Sequence, residues 1–346
     1  MTDNARWARS GPSPSGRYGR RQPMASQDPG NALIISTGRC GSTLLSDLIA
    51  EQADTLSVRD FLISATPWAE LDGDLSGAEY WAMLSRPKPE LSTLYRLGLP
   101  PREVRYPAHG RWAGSLDELP WVLAVTLSSI STDPDALFDT LAARVPDFPR
   151  QPVQRHHHMF LDLLTARTNR RRWVESSGGS SYLAPDLLRA FPSARIVHLT
   201  RNWTDTAESM RRHPAFQLFQ LRAECLGRGL DPFGLSPGQA VPEDLVDLLP
   251  DRLAAETLRE RGRDVRRYLW LCAFMSSQAE QAFAEQPARH LLHLRYEDLV
   301  ADPVGELGRL GRFLDFEDSA EWARRMADRV VAAGAHSRSR PVGTAG

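Results

Sequence analysis

A short stretch of the chain, residues 37–43, combines glycines, hydroxyls and a guanidinium in a pattern suited to binding an oxyanion. Its sequence is T-G-R-C-G-S-T. Gly38 and Gly41 allow the backbone to curl so that several N–H groups point at one anion, and Arg39 can add charge-assisted hydrogen bonds. The alternative is a plain glycine turn capped by Ser42. As an anion site, the loop offers Gly38, Arg39, Cys40, Gly41, Ser42 and Thr43.

The elements that would hold this loop are a strand before it and a helix after it. Residues 32–35 form an apolar run, and apolar residues recur at helical spacing over 44–49. The same order of strand and helix recurs at 195–199 with 204–212, and at 290–294 with 304–313. Strands that alternate with helices predict the α/β class, with a P-loop-like parallel sheet flanked by helices.

Composition divides the chain into three parts. Residues 1–28 are rich in Arg, Gly, Ser and Pro with hardly an apolar run, which predicts a disordered tail. A single catalytic domain is expected over 29–335, and a loop-like tail over 336–346. Within the domain, prolines break up residues 62–160, so we expect an irregular helical insertion after the second strand there. A long helix is expected over about 262–286.

Two other loops that bind phosphate differ from residues 37–43. The P-loop of nucleoside triphosphatases needs a lysine before its final Ser or Thr, but the chain's one lysine is Lys88, in R-P-K-P. Phosphatases that use a cysteine at such a loop carry an arginine six residues later, where this chain has Ser46. Cys40 is therefore interpreted as a small loop residue, with a reactive thiol as the alternative.

Three short segments together resemble one known family. Residues 36–44 read S-T-G-R-C-G-S-T-L, residues 191–201 read F-P-S-A-R-I-V-H-L-T-R, and residues 294–299 read L-R-Y-E-D-L. These segments are similar to the 5′-phosphosulfate loop, the strand that leads to the 3′-phosphate site, and a late motif of the sulfotransferases that use 3′-phosphoadenosine-5′-phosphosulfate (PAPS). The loop resembles the branch that carries Arg rather than Lys. The resemblance implies transfer of a sulfuryl group from PAPS without a metal.

The resemblance also implies which residues bind the 3′-phosphate and the adenine. In the family, an Arg at the strand end is followed eight residues later by a Ser on the helix, and Arg201 and Ser209 have that spacing. The Arg leaves the end of the strand and the Ser lies about two turns into the following helix, so the two side chains can bind one phosphate from two directions. A solvated helix start is the alternative. Tyr296 is expected to contact the adenine or to support the nucleotide, or else to be a half-buried tyrosine at a strand end.

Two acids compete for the role of general base. Asp60 follows residues 56–59, at the expected carboxyl end of the second strand, where open α/β sheets bind their ligands. Several sulfotransferase branches carry a Glu base there. Glu175 is expected to end another strand, and the Lys that often follows in the family is Ser176 here. We predict that Asp60 is the base and that Glu175 has a supporting role; a helix cap or an ion pair is the alternative for each.

Charge and composition exclude several classes of protein. The formal charge is −1, so nothing indicates a nucleic-acid partner. No apolar run approaches a membrane span, and the N-terminus lacks the apolar core of a secretory signal, so a cytoplasmic location is expected. The 3 cysteines are too widely spaced for a disulfide framework or a zinc site.

No motif in the sequence identifies the acceptor. We expect residues 62–160 to bind it, and a small molecule, a glycan, a lipid or a peptide would each fit. Trp68, Trp81, Trp112 and Trp121 either line an aromatic pocket there or are structural. The adjacent histidines 156–158 cannot all point at one ion from regular backbone, so no metal is expected. A P-loop-type kinase and a nucleotide-binding module without activity remain the alternatives to a sulfotransferase.

Overall fold

The computed structural model describes residues 30–65, 73–236, 238–287 and 289–338. The predicted tail 1–28 and residues 339–346 lie outside them. The described chain groups into two compact units. We call them the sheet unit, which contains residues 30–63, 157–206 and 272–338, and the helical unit, which contains residues 64–156 and 207–271. The single domain expected over 29–335 stays a prediction.

Seven strands form two sheets within the described residues. In chain order they are Ala32–Ser36 (β1), Thr55–Arg59 (β2), Asp74–Leu75 (β3), Gln151–Pro152 (β4), Arg172–Gly178 (β5), Arg195–Thr200 (β6) and Leu291–Arg295 (β7). The sheet unit contains a five-stranded sheet in the order β2-β5-β1-β6-β7, and every pairing in it is parallel. β3 and β4 pair antiparallel in the helical unit.

Helices account for most of the remaining described chain. The α-helices are Ser42–Ile49 (α1), Phe61–Ser64 (α2), Gly77–Ser85 (α3), Pro89–Arg96 (α4), Ser128–Ile130 (α5), Pro134–Ala142 (α6), Val153–Arg167 (α7), Ala184–Ala190 (α8), Trp203–Arg211 (α9), Pro214–Leu226 (α10), Ala255–Arg261 (α11), Val265–Phe283 (α12), Tyr296–Ala301 (α13), Pro303–Phe313 (α14) and Ser319–Arg338 (α15). Short 3₁₀ turns occupy Leu116–Glu118, Val145–Asp147, Ser180–Leu183 and Glu243–Leu248, and a π-helical stretch, Leu123–Leu127, precedes α5.

The central strand β1 lies between β5 and β6, and all five of its residues are buried. Its apolar run suits a parallel strand that is covered on both faces. Leucines of α1 and α14 and Trp322 of α15 belong to the same core cluster as β1. The indole Nε1 of Trp322 donates a hydrogen bond to the carbonyl oxygen of Leu48, 3.1 Å away, and so ties α15 to the end of α1.

The predicted fold class is confirmed: a parallel sheet flanked by helices. The strands predicted at 32–35, 56–59, 195–199 and 290–294 differ from the observed ones by one residue, and the helix expected over 262–286 is α12. One boundary differs more: α15 runs to Arg338, so residues 336–338 are helical and not loop-like. The acceptor-binding insertion expected over 62–160 stays a prediction.

Among the described residues, no helix is both long enough and apolar enough to span a bilayer.

Candidate functional site

The loop between β1 and α1 is held in left-handed backbone conformations. φ is 80° at Gly38, 55° at Arg39 and 97° at Gly41. The amide of Gly38 donates to Ser36 Oγ at 3.3 Å, and Gly41 is the N-cap residue before α1, where no side chain makes a cap hydrogen bond. Left-handed residues turn successive N–H groups toward one side, and a helix N-terminus adds its positive dipole end. The loop can therefore bind an anion with backbone amides alone.

Arg201 lies directly after β6 and reaches back to this loop. Its Nη1 is 3.5 Å from the carbonyl oxygen of Arg39, and its side chain is 16% exposed. The guanidinium lies over the ring of Tyr296, 4.7 Å from the ring centre. Asp205, in the first turn of α9, is 3.8 Å from Arg201 Nη2. The cation is thus fixed beside the loop by an aromatic face and by a nearby carboxylate.

Tyr296 links the loop to the end of β7. It is the first residue of α13, and a Cβ atom placed on Gly41 would lie only 2.6 Å from Tyr296 Cδ2. The close approach of ring and loop therefore requires glycine at position 41. Because the strands are parallel, the carboxyl ends of β1, β6 and β7 meet at one edge of the sheet, and this brings the loop, Arg201 and Tyr296 together.

Asp60 lies at the same edge, directly after β2. Its backbone is left-handed, with φ 48°, and its carboxylate Oδ1 accepts a hydrogen bond from the amide of Gly178 at 2.8 Å. A Cβ atom on Gly178 would lie 3.6 Å from Asp60 Oδ1, 3.7 Å from Gly38 Cα and 3.9 Å from Ser42 Oγ. The half-buried carboxylate of Asp60 is therefore close to the loop between β1 and α1.

Glu175 differs from the sequence-based expectation. It was expected to end a strand, but β5 continues to Gly178, so Glu175 lies in the middle of the strand. It is 1% exposed, and its Oε1 accepts hydrogen bonds from the amides of Phe61 and Leu62, both at 3.1 Å, and from Ser177 Oγ at 2.5 Å. Burial, with a smaller contribution from the charge of Asp60, raises the pKa of Glu175 to about 8. Glu175 is thus a buried cap of α2.

The other loop residues and Ser209 lie as follows. Ser42 is buried and Thr43 is exposed, both in the first turn of α1. Cys40 is fully buried, and burial raises the pKa of its thiol, which disfavours a reactive thiolate. Ser209 lies on α9 at the predicted spacing from Arg201 but belongs to the helical unit. Its joint action with Arg201 therefore stays a prediction.

The sequence analysis did not identify the residues at and after the end of β5 as supports of the site. Gly178 donates to Asp60, and the Oγ of Ser180 accepts a hydrogen bond from the amide of Ser36 at 3.2 Å, so this segment supports both the base candidate and the end of β1. The signal was the run of small residues S-S-G-G-S-S over 176–181. Small residues directly after a parallel strand allow other backbone segments to approach closely.

The three adjacent histidines contact different partners. His156 Nε2 is 2.8 Å from the carbonyl oxygen of Leu75, whereas His158 Nε2 is 2.9 Å from that of Ala190. Within the described ranges, no group of three His, Cys, Asp or Glu residues is arranged to hold a metal ion.

The tryptophans of the helical unit have different roles. Trp121 is buried and donates to the carbonyl oxygen of Met83 at 2.9 Å, so it is structural. Trp81 and Trp112 are half-buried and both pack on Phe138, at 4.9 and 5.5 Å between ring centres. Trp68 lies outside the described residues.

Comparison with known proteins gives structural likenesses only. No family model matches the chain, and no curated protein matches it. Among solved structures, it is similar to a sulfotransferase domain from the curacin biosynthetic pathway, at 16% identity over 84% of this chain and 76% of that chain, with a TM-score of 0.44. The sulfotransferase domain of the Synechococcus PCC 7002 olefin synthase is 15% identical over 94% of this chain and 93% of that chain, with a TM-score of 0.43.

A further likeness is to retinol dehydratase in complex with androsterone and the inactive cofactor PAP. It is 16% identical over 88% of this chain and 64% of that chain, with a TM-score of 0.35. All three scores are below 0.5, so the function of this chain has to be argued from its own residues.

Proposed function

We propose that the chain is a PAPS-dependent sulfotransferase of the branch whose loop carries arginine, and that it transfers a sulfuryl group to a hydroxyl or amine. One observation carries the proposal: Arg201 Nη1 lies 3.5 Å from the carbonyl oxygen of Arg39. An anion-binding loop and a second cationic group therefore lie side by side at one edge of a parallel sheet. A nucleotide with a 5′-phosphosulfate and a 3′-phosphate needs two such neighbouring sites.

In this proposal, the loop binds the 5′-phosphosulfate. The amides of residues 38–43 and the hydroxyls of Ser42 and Thr43 bind its oxygens, and Arg39 lies beside the transferring group. Arg201 binds the 3′-phosphate, with Ser209 as its partner on α9. Tyr296 supports Arg201 through the stacked ring and borders the adenosine. Gly38, Cys40 and Gly41 contribute backbone only.

The reaction is an in-line displacement at sulfur. The acceptor oxygen attacks the sulfur atom while the bond from sulfur to the 5′-phosphate oxygen breaks, and the electron pair of that bond leaves with adenosine 3′,5′-bisphosphate. Asp60 takes the proton of the acceptor hydroxyl. The loop amides and Arg39 stabilise the charge that develops on the sulfonyl and bridging oxygens. Glu175 supports Asp60, and no metal takes part.

A P-loop-type kinase is the main rival, and a binding module without activity is the second. The kinase would need a lysine in the loop and an acidic magnesium ligand at a strand end. In this chain the loop carries Arg39, and β6 is followed by Arg201. A second cation beside the loop favours a bisphosphorylated nucleotide over a magnesium-bound triphosphate.

Titration calorimetry separates the sulfotransferase from the kinase. Adenosine 3′,5′-bisphosphate should bind in the presence of a chelator, and adenosine 5′-monophosphate and ATP should bind much more weakly. Magnesium-dependent binding of ATP would overturn the proposal. Turnover of labelled PAPS on any acceptor then separates an enzyme from a binding module.

The acceptor class is part of the same proposal. Residues 62–160 bind the acceptor, and a small molecule, a glycan, a lipid or a peptide fits equally. The enzyme works in the cytoplasm and needs no nucleic-acid partner. A labelled-sulfate transfer screen over pools of metabolites, glycans, lipids and peptides identifies the class.

A further inference from the structure

The turn that carries Asp60 is held by groups of the neighbouring strand β5. The amide of Asp60 donates to the carbonyl oxygen of Ser176 at 2.9 Å, and the amide of Gly178 donates back to Asp60 Oδ1. The amide of Ile63 donates to Ser177 Oγ at 3.0 Å. Backbone and side chain of Asp60 are therefore both fixed against one strand.

This turn needs such support for two reasons. A left-handed φ is unfavourable for residues with a Cβ atom, less so for Asp than for most, and local hydrogen bonds help to hold Asp60 in this conformation. Helix α2, which follows, has only 4 residues and cannot be stable alone. Its first amides require acceptors, because they have no partners within the helix.

Glu175 supplies the acceptor for two of these amides. Oε1 accepts from Phe61 and Leu62, the two residues directly after Asp60, and from Ser177 Oγ. The carboxyl is 1% exposed, so an acceptor substrate has no access to it. Ser177 Oγ in turn accepts from Ile63, and so the network extends over the whole first turn of α2.

We propose that Glu175 is a positioning residue for Asp60. It holds the first turn of α2 and thereby keeps the Asp60 carboxylate beside Gly178 and the anion-binding loop, while its own carboxyl never touches the reacting groups. Ser177 completes the same support. This inference rests on the proposed function, because it takes Asp60 as the base of the sulfuryl transfer.

The electrostatics of the two carboxyls agree with this division of roles. Burial keeps the pKa of Glu175 well above its ordinary value, so near neutral pH the side chain carries its proton and still accepts hydrogen bonds through Oε1. Arg59, directly before Asp60, is ion-paired with Asp47 of α1.

Two substitutions at one position test the proposal. Glu175→Ala removes the acceptor and should lower kcat by about 10- to 100-fold, as expected when a reacting group moves by about 1 Å. Glu175→Gln keeps a carbonyl Oε1 and should recover most of that loss. Both variants should bind adenosine 3′,5′-bisphosphate like the wild type, because neither removes a group of the anion site. An inactive Glu175→Gln together with an active Asp60→Asn would make Glu175 the base and overturn the proposal.

A double variant tests whether Glu175 acts through Asp60. Asp60→Asn removes the base, so a displacement of residue 60 has no further effect on turnover. The double variant Asp60→Asn/Glu175→Ala should therefore turn over no more slowly than Asp60→Asn. Full additivity of the two losses would show that Glu175 acts independently.

Hydrogen exchange tests the positioning without any turnover. The amides of Phe61 and Leu62 should lose protection in Glu175→Ala and keep it in Glu175→Gln. Unchanged protection in Glu175→Ala overturns the structural half of the proposal even if the enzyme is active. If the wild-type chain neither binds the bisphosphate nor transfers sulfate, the proposed function is wrong. The exchange result would still show whether Glu175 holds the first turn of α2.

Discussion

The guanidinium of Arg201 lies 4.7 Å from the centre of the Tyr296 ring, and the same tyrosine packs against Gly41 of the anion-binding loop. One aromatic ring thus contacts both halves of the candidate nucleotide site. A ring in contact with both fixes the distance between loop and cation before any ligand binds, and pre-organisation of this kind lowers the entropy cost of binding. A change at the Tyr296 ring should therefore alter both the loop and the position of Arg201.

Gly41→Ala should disrupt both halves of the site. The new Cβ atom would lie 2.6 Å from Tyr296 Cδ2, and φ at this position is 97°, so both ring and loop must move. We expect at least about a tenfold loss of affinity for adenosine 3′,5′-bisphosphate, equivalent to about 1.4 kcal/mol. Gly229→Ala is the control, because φ there is 79° but no atom lies within 4 Å of the new Cβ. Equal affinity in the two variants would contradict the role of the ring contact.

Arg201→Ala should weaken donor binding by about 1.5–3 kcal/mol, as expected for a lost charge-assisted hydrogen bond. The loss should be specific for nucleotides with a 3′-phosphate, so affinity for adenosine 5′-monophosphate should change little. Ser209→Ala should act in the same direction with a smaller effect. Calorimetry with both nucleotides measures this, and Arg189→Ala, in an exposed ion pair on α8, serves as the control. An unchanged preference for the 3′-phosphate would show that the site is misplaced.

Arg39 should matter more for turnover than for binding of the product. In the proposed reaction, Arg39 lies beside the transferring group, whose charge grows in the transition state, so its loss should lower kcat more than it weakens bisphosphate binding. Arg39→Gly is a cleaner test than Arg39→Ala, because φ is 55° and glycine accepts this conformation without strain. Asn169→Gly, at φ 54°, controls for the added backbone freedom. Normal turnover of Arg39→Gly at saturating donor would contradict the assignment.

Asp60→Asn should lower turnover by about 10²- to 10⁴-fold and leave donor binding nearly unchanged. Asparagine keeps the shape, tolerates the left-handed backbone and can still accept the hydrogen bond from Gly178, but it cannot take a proton. Asp315→Asn is the matched control, because Asp315 is also left-handed, with φ 55°, and has no part in the site. A single-turnover assay with labelled PAPS measures the rate, and an active Asp60→Asn rules Asp60 out as the base.

Because of Glu175, the free energy of unfolding should decrease as pH rises. Its pKa is about 8 in the folded chain against an ordinary 4.5, so the folded state binds a proton that the unfolded state has released between these values. The free energy of unfolding therefore decreases from about pH 5 to pH 8 on account of this group. Glu175→Gln should gain stability relative to the wild type over that range.

Urea unfolding at several pH values measures the difference. Glu79→Gln is the control, because hydrogen bonds from Ser76 lower the pKa of Glu79. The stabilising contribution of Glu79 is present above its ordinary pKa and is lost as pH falls. Glu79→Gln should therefore lose stability relative to the wild type, whereas Glu175→Gln should gain it. A difference between wild type and Glu175→Gln that does not depend on pH would contradict the raised pKa.

The sequence predicted those parts of the site that depend on local pattern. An apolar run, a glycine-containing loop and a helical period were sufficient to place Gly38, Arg39 and Gly41 at the carboxyl end of a parallel strand. Asp60 was found because it directly follows a short strand, and parallel strands bind ligands at their carboxyl ends. Arg201 was found through the resemblance of residues 191–201 to the sulfotransferase strand that leads to the 3′-phosphate site.

Other features depend on contacts between distant segments and could not be predicted. Glu175 was expected to end a strand before S-S-G-G, but the strand continues, because Ser176 pairs with Ile34 of β1 and Ser177 with Ile35. On its other side, Ser176 also pairs with Arg59 of β2. Apart from Ser209, residues 207–271 carry no motif, so their grouping with 64–156 had no local signal. The contact of Tyr296 with Gly41 joins segments that no spacing rule connects.

The strand order has a consequence for synthesis of the chain. β1 is made early, but its two neighbours, β5 and β6, come much later, and the amide of Ser36 bonds to a hydroxyl 144 residues further along. At roughly 5–20 residues per second, the ribosome takes on the order of 7–30 s to supply that partner. During this interval an apolar strand with two unpaired edges is exposed to water, which makes the nascent chain a natural client for a chaperone.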